Sequence, residues 1–254
     1  MFSGATMKES GNTILITGGA TGIGLALAKR FSDLGNTVII CGRRQGKLEE
    51  AAKKIPGLHT LRCDISNAED RQALHDCIAS DFKDLNVLVN NAGIQRRIDF
   101  TKGVEDLLHT DDEIEINLKS QIYLTALFIP LLSERKEAAI INVSSGLGIV
   151  PLAVFPIYSA TKAAVHSLTM SLRHQLKTTT IRVFEVIPPT VHDTGLKGMP
   201  MEKTKWSISS AEMADVVISG LKADRYEIAA GGSALWASAS RADLDRYFDD
   251  INGR

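Results

Sequence analysis

Tyr158 and Lys162 stand four residues apart in Tyr158-Ser159-Ala160-Thr161-Lys162, so on a helix the phenol and the ammonium share one face, a turn apart. A tyrosine with its ordinary pKa of about 10 ionises little near neutrality. A neighbouring cation favours the ionised form, which would make such a pair a general acid and base acting on an oxygen atom. Of the four tyrosines, only Tyr158 has a lysine at this spacing. Upstream, Asn142-Val143-Ser144-Ser145-Gly146 offers Ser145 as a second hydroxyl, with Ser144 as a supporting group. Taken alone, a Tyr/Lys pair is more often a solvated helix face. The surrounding elements must decide.

Short β-branched runs alternate with helical patterns along the whole chain. Strands are read at 13–16, 37–40, 58–62, 86–89, 139–143, 181–187 and 226–230. Helices are read at 23–34, 47–55, 67–81, 111–134, 158–177, 210–222 and 237–250. Continuously apolar strands suit a sheet covered on both faces, and the intervening helices demand right-handed parallel crossovers. The expected fold is therefore α/β: a Rossmann-like, three-layer, doubly wound sheet of seven parallel strands. It forms a single domain over 12–254, after a disordered tail over 1–11. Ligands of such sheets bind beyond the carboxyl ends of the strands, near the reversal of strand order. Ser145 follows the fifth expected strand, which puts it at that edge.

A glycine cluster, Thr17-Gly18-Gly19-Ala20-Thr21-Gly22-Ile23-Gly24, lies between the first expected strand and the first helix. Glycine allows the tight turn and a close approach of backbone to a pyrophosphate, whose charge is stabilised by free N–H groups at a helix N-terminus. Asp64 and Ile65 follow the third strand, and Asn90-Asn91-Ala92-Gly93 follows the fourth. Read singly, Asp64 would belong to a helix N-cap region and the asparagine pair to a turn.

These motifs, in this order, resemble the short-chain dehydrogenase/reductase family, and the resemblance runs from Thr13 to about Ala230. It implies a catalytic tetrad of Asn117, Ser145, Tyr158 and Lys162, where Asn117 alone would read as a satisfied mid-helix polar residue. It also implies a nicotinamide dinucleotide held by Gly18, Thr21, Gly22, Ile23, Gly24, Asp64, Ile65, Asn91, Ala92, Gly93, Tyr158, Lys162, Pro188 and Val191. The implied activity is hydride transfer between that cofactor and a small-molecule carbonyl or alcohol. A homodimer or homotetramer is implied as well. One stretch departs from the family pattern: Pro188-Pro189-Thr190-Val191-His192-Asp193-Thr194 stands where many relatives have Pro-Gly-x-Val-x-Thr, which puts a role for Thr194 in doubt. NADP(H) is favoured over NAD(H), because Cys41-Gly42-Arg43-Arg44 ends the second strand and no carboxylate appears before Glu49. An acid at that point would repel a 2′-phosphate, whereas Arg43 and Arg44 can grip one. Ala20-Thr21 lacks the basic residue that many NADP-preferring relatives carry in the glycine loop.

Other classes fare worse. With 29 basic and 30 acidic side chains, no global field draws the chain to nucleic acid or to an anionic membrane. No segment is long and apolar enough to span a bilayer, and no signal-peptide stretch is seen, so a cytoplasmic location is expected. Cys41, Cys63 and Cys77 lack disulfide or zinc spacing, and no metal site is expected. Substrate walls are expected at 94–112, 147–156 and 192–207, with Leu147, Phe155, Leu196, Met199 and Trp206 as apolar candidates. Gln95, Arg96 and Arg97 are candidates for a polar or anionic substrate, although loop arginines are more often solvated. Trp236, Tyr247 and Phe248 are divided between packing on their own subunit and contacting a partner. A cofactor-binding sensor without turnover, or a dehydratase or epimerase on the same fold, stays open.

Overall fold

The computed structural model describes residues 7–108, 112–194, 196, 204, 206–239 and 241–252. Seven strands form one parallel sheet: β1 (Thr13–Thr17), β2 (Thr37–Gly42), β3 (His59–Arg62), β4 (Leu85–Asn90), β5 (Ala138–Val143), β6 (Ile181–Ile187) and β7 (Glu227–Ala229). Their order is β3-β2-β1-β4-β5-β6-β7, so the direction of winding reverses between β1 and β4. This is the Rossmann-like arrangement expected from the alternating pattern, and it leaves a crevice at the carboxyl ends of β1 and β4.

Successive residues of a strand face opposite sides, and both sides here are apolar. Ile14, Ile16, Ile40 and Val89 face the layer of α1 (Gly22–Asp33), α2 (Gln45–Lys54) and α6 (Ser210–Lys222). Leu15, Ile39, Leu88 and Ile140 face α3 (Ala68–Asp81) and α4 (Ser120–Ser133), with Leu172 of α5 (Pro156–Gln175) beside them. Two apolar layers thus fix the sheet from both faces, and that rigid edge is what holds the functional loops.

Three differences from the sequence expectation have physical causes. The helix expected over 111–134 opens instead with a π-type turn at Glu115–Lys119 before α4 begins at Ser120. Such turns are rare, cluster at functional sites and have no composition of their own. The helix expected over 237–250 is two helices, α7 (Gly231–Ala237) and α8 (Arg241–Asn252). The glycine pair opening α7 reads as loop, yet Gly231 has φ of +51°, and a side chain there would meet the Trp206 carbonyl. Of the stretch expected as a tail, Met7 is buried in the core and the Gly11 N–H donates to the Gly35 carbonyl oxygen, so the chain is anchored from residue 7 onward.

The crossing at the strand-order reversal is tight. Gly18 has φ of +64°, and a Cβ at Gly24 would lie 2.5 Å from both the Gly18 carbonyl oxygen and Asn91 Nδ2. One neighbour is backbone and the other an amide held by its hydrogen bonds to the Thr17 and Gly18 carbonyls, so Gly24→Ala is expected to lower stability by roughly 1–3 kcal/mol, the usual cost of overpacking. Urea unfolding of the variant beside the parent chain measures this.

Candidate active site

Thr17, the last residue of β1, ties its strand to β4. Its hydroxyl donates to the Val89 carbonyl and accepts the N–H groups of Asn91 and Ala92, both at 3.0 Å. Asn91 replies by donating from Nδ2 to the carbonyl oxygens of Thr17 and Gly18. A second buried amide, Asn90, donates to Asn142 of β5 and to Thr125 of α4. The asparagines therefore serve first to satisfy backbone and strand neighbours where the ladder ends.

Around this crossing opens a cleft of about 500 Å³. Gly18, Thr21, Gly22, Ile23, Arg43, Arg44, Asp64, Ile65, Asn91, Ala92, Gly93, Ser145, Tyr158, Lys162, Pro188 and Val191 all line it. Two sequence-predicted residues do not. Gly24 sits behind the glycine turn, packed on Asn91, and Asn117 lies beneath Gly93. Thr194, whose role the inserted residue put in doubt, reaches the cleft and rests against Gly22, with its hydroxyl donating to the Val191 carbonyl.

The residues at one end suit a dinucleotide. Thr21, the N-cap of α1, makes no side-chain cap hydrogen bond, and no acidic residue occupies the first turn. The first N–H groups of α1 are thus left for an anion. Arg44 donates to Thr21 Oγ1 at 3.4 Å, and Arg43 lies 4.0 Å from Asp64 Oδ2, so both guanidinium groups border the turn from the end of β2. Asp64 Oδ1 accepts the backbone and hydroxyl hydrogens of Ser66, which fixes its carboxylate.

At the other end Ser145, Tyr158 and Lys162 converge. Ser145 Oγ accepts the Leu147 N–H at 3.1 Å. Tyr158 is buried, and burial pushes its phenol up to about 12; a hydrogen bond with Ser145 opposes this, and the Glu113 charge adds to it. Lys162 donates to the Val143 carbonyl oxygen at 2.8 Å, and burial pulls its ammonium down to about 8 against the opposing charge of Glu185. The sequence reading has Lys162 easing ionisation of Tyr158. Burial dominates both groups instead, and the ammonium lies 5.7 Å from the ring centre. Asn117 works through the backbone: its Oδ1 accepts the Ile94 N–H and its Nδ2 donates to the Ile94 carbonyl, each at 2.8 Å. Its Nδ2 also reaches Thr161 Oγ1. A Cβ at Gly93 would lie 3.2 Å from Asn117 Oδ1 and 3.6 Å from Lys162 Nζ, so the glycine keeps these groups near one another.

Several participants escape the sequence reading. Glu185, on β6, is wholly buried, accepts from the Ser144 hydroxyl and pairs with His166 Nδ1 at 2.8 Å. Ser144 borders the cleft beside Ser145 but gives its hydroxyl hydrogen to Glu185. Trp236 lines the cleft, and its ring lies 6.4 Å from that of Tyr247. Among the expected apolar walls, Leu147 and Leu196 line the cleft, whereas Phe155 is buried and Trp206 is half-exposed. Met199 lies outside the described residues. Among the described residues no cluster of metal-ligating side chains occurs, and no helix is long and apolar enough to cross a membrane.

A doubly wound sheet with a glycine turn at its switch point, and a Ser/Tyr/Lys group across the cleft, defines a nucleotide-binding α/β enzyme of the oxidoreductase type. The short chain dehydrogenase model matches residues 12–205, and the chain belongs to the short-chain dehydrogenase/reductase family. It is 49% identical to the uncharacterized oxidoreductase DltE of Bacillus subtilis (strain 168), over 97% of this chain and 98% of that one. It is 34% identical to the NADP-dependent 3-hydroxy acid dehydrogenase YdfG of Shigella flexneri, over 71% and 73% of the two chains. Among solved structures, 3-ketoacyl-(acyl-carrier-protein) reductase from Brucella melitensis complexed with NADH superposes with a TM-score of 0.81, at 26% identity and 90% and 100% coverage. Serine dehydrogenase complexed with NADP+ superposes with a TM-score of 0.78, also at 26% identity, over 90% and 98% of the chains.

Because Lys162 sits near 8, a reaction that draws on its charge is expected to lose kcat/KM as pH rises past about 8. Glu185→Gln removes the carboxylate that holds this ammonium up, so the decline is expected to begin at lower pH. The two pH-rate profiles check both statements.

Proposed function

We propose that the protein is an NADP(H)-dependent oxidoreductase that moves a hydride between the nicotinamide and the carbonyl or alcohol carbon of a small molecule, with Tyr158 as the acid and base. The observation that carries this reading is the convergence of Ser145, Tyr158 and Lys162 on the same cleft as the anion-ready start of α1 and the two arginines ending β2. When bound, the cofactor supplies or accepts the hydride at the reacting carbon.

The rest is done by the chain. The phenol of Tyr158, raised to about 12, holds its proton through the physiological range and stands ready to donate to a developing alkoxide. Ser145, hydrogen-bonded with the phenol, would turn its hydroxyl to the same substrate oxygen and orient it. Lys162 spends one of its N–H groups on the Val143 carbonyl and has others for the cofactor ribose. Its positive charge favours tyrosinate when the reaction runs toward oxidation. Asn117, bound to both polar groups of the Ile94 backbone, positions the loop that follows Gly93. Leu147, Leu196 and Trp236 exclude water from the substrate end.

For the cofactor, Gly18, Thr21, Gly22 and Ile23 would hold the pyrophosphate, and Asp64 and Ile65 the adenine side. Asn91, Ala92, Gly93, Pro188 and Val191 would flank the nicotinamide. Arg43 and Arg44 would take the 2′-phosphate, and the NADP-dependent name of the YdfG relative agrees with that choice. The Brucella structure holds NADH instead, so family membership alone leaves the nucleotide open. We also propose a cytoplasmic homo-oligomer: Ile122 and Tyr123 on α4 and Met170 on α5 are large apolar side chains left exposed on the single subunit.

With purified protein and a panel of ketones and aldehydes, NADPH is expected to give the larger specificity constant; a larger value for NADH removes the assignment to Arg43 and Arg44. Tyr158→Phe is expected to lose roughly 100-fold or more in kcat while still binding NADPH, the usual range for removing an acid or base. Cofactor binding without turnover on any substrate favours a sensor instead.

A further inference from the structure

Across the substrate end of the cleft lies an arginine whose surroundings do not satisfy it. Arg96 lines the cleft with only 23% of its side chain exposed, and its Nε and Nη1 are shut off from solvent without a hydrogen-bond acceptor. Its loop is held from several directions. The Arg96 N–H donates to Glu113 Oε1, the Ile94 backbone is clamped by Asn117, and the Ile98 N–H donates to the Val154 carbonyl shortly before Tyr158. The guanidinium is therefore carried on a fixed backbone, next to the segment that delivers the phenol.

The charged group facing Arg96 is Glu113, whose side chain is completely buried. Its Oε2 stops 3.8 Å from Arg96 Nε and accepts no hydrogen bond either. The pair compensates charge without engaging, and burial raises the Glu113 carboxyl above its usual range. Arg97, the next residue, is exposed and lies over the Phe155 ring, so it does not share the position. Gln95, buried and also lining the cleft, puts an amide beside the guanidinium. The part of the Arg96 side chain that stays exposed borders the cleft, and a planar guanidinium fork matches a carboxylate. With the Glu113 carboxylate beside it, a singly charged carboxylate is repelled less than a phosphate dianion.

We propose that Arg96 anchors a carboxylate group of the substrate, so that the compound reduced or oxidised at Tyr158 is an oxo acid or hydroxy acid. This rests on the oxidoreductase reading for the chemistry, but not for the binding.

The test uses the whole protein loaded with NADPH, titrated with a panel of short 2- and 3-hydroxy acids, which cannot react with the reduced cofactor. Their carboxamides and matching phosphate monoesters form the comparison arms, and binding is followed by nicotinamide fluorescence. The parent protein is expected to bind at least one acid about tenfold or more tightly than its amide. Arg96→Gln is expected to weaken the acid roughly 30- to 100-fold, as when one partner of a buried charge pair is removed, and to leave the amide and NADPH unaffected. Arg96→Lys should restore part of the loss. Equal binding of acid and amide, an acid preference that survives Arg96→Gln, or tighter binding of the phosphate ester overturns the proposal. Turnover of the matching oxo acids separates the two readings. Acid-selective binding that depends on Arg96, without turnover, sinks hydride transfer and keeps the anchor; turnover of neutral ketones without acid preference does the reverse.

Discussion

The fastening of β1 to β4 is the constraint on which the other features depend. Where the strand order reverses, two neighbouring strands end side by side while their chains depart to opposite faces, leaving backbone groups that no ladder can satisfy. Thr17 and Asn91 satisfy them reciprocally across the gap. That exchange draws the glycine turn so close to the end of β4 that Gly24 has no room for a side chain. It also sets the start of α1 facing the cleft with its first N–H groups unclaimed by a cap. The uncapped start of α1 at the cleft is thus a by-product of solving a packing problem at the centre of the sheet.

At the substrate end the governing balance is between burial and charge. Tyr158 and Lys162 are both enclosed, and enclosure disfavours the charged form of each, raising the phenol to about 12 and lowering the amine to about 8. Glu185 offsets part of this from β6, itself held by Ser144 and His166. The pair is best regarded as part of a larger buried electrostatic group in which two strands and α5 take part.

Much of the architecture was legible because it rests on local chemistry. The span of α6 matches its expected bounds of 210–222, and its start carries a capping box between Ser209 and Glu212. The strands were legible from their apolar runs, and most of the residues expected at the cofactor end do border the cleft. What was not legible depends on partners distant in sequence. The π-type turn that presents Asn117 has no composition of its own, and α7 begins with glycines that sequence treats as a break. Arg96 reads from sequence as either a contact for an anionic substrate or a solvated loop residue, and only the fold shows that it lies beside Glu113 with Nε and Nη1 sealed from water. Likewise Trp236, divided beforehand between self-packing and a partner subunit, borders the cleft.

The Pro188 carbonyl oxygen accepts both the Gly146 N–H and the Ser233 hydroxyl, each at 2.9 Å, so three remote stretches meet on one atom. Chain growth on the ribosome delivers these stretches at very different times. The glycine turn emerges early, Tyr158 well after it, and the wall made by Ser233 and Trp236 later than both. A nascent chain halted before that wall would carry the glycine turn and the phenol but leave that side of the cleft open to water. Closure of the cleft on that side is therefore tied to synthesis of the chain through residue 236.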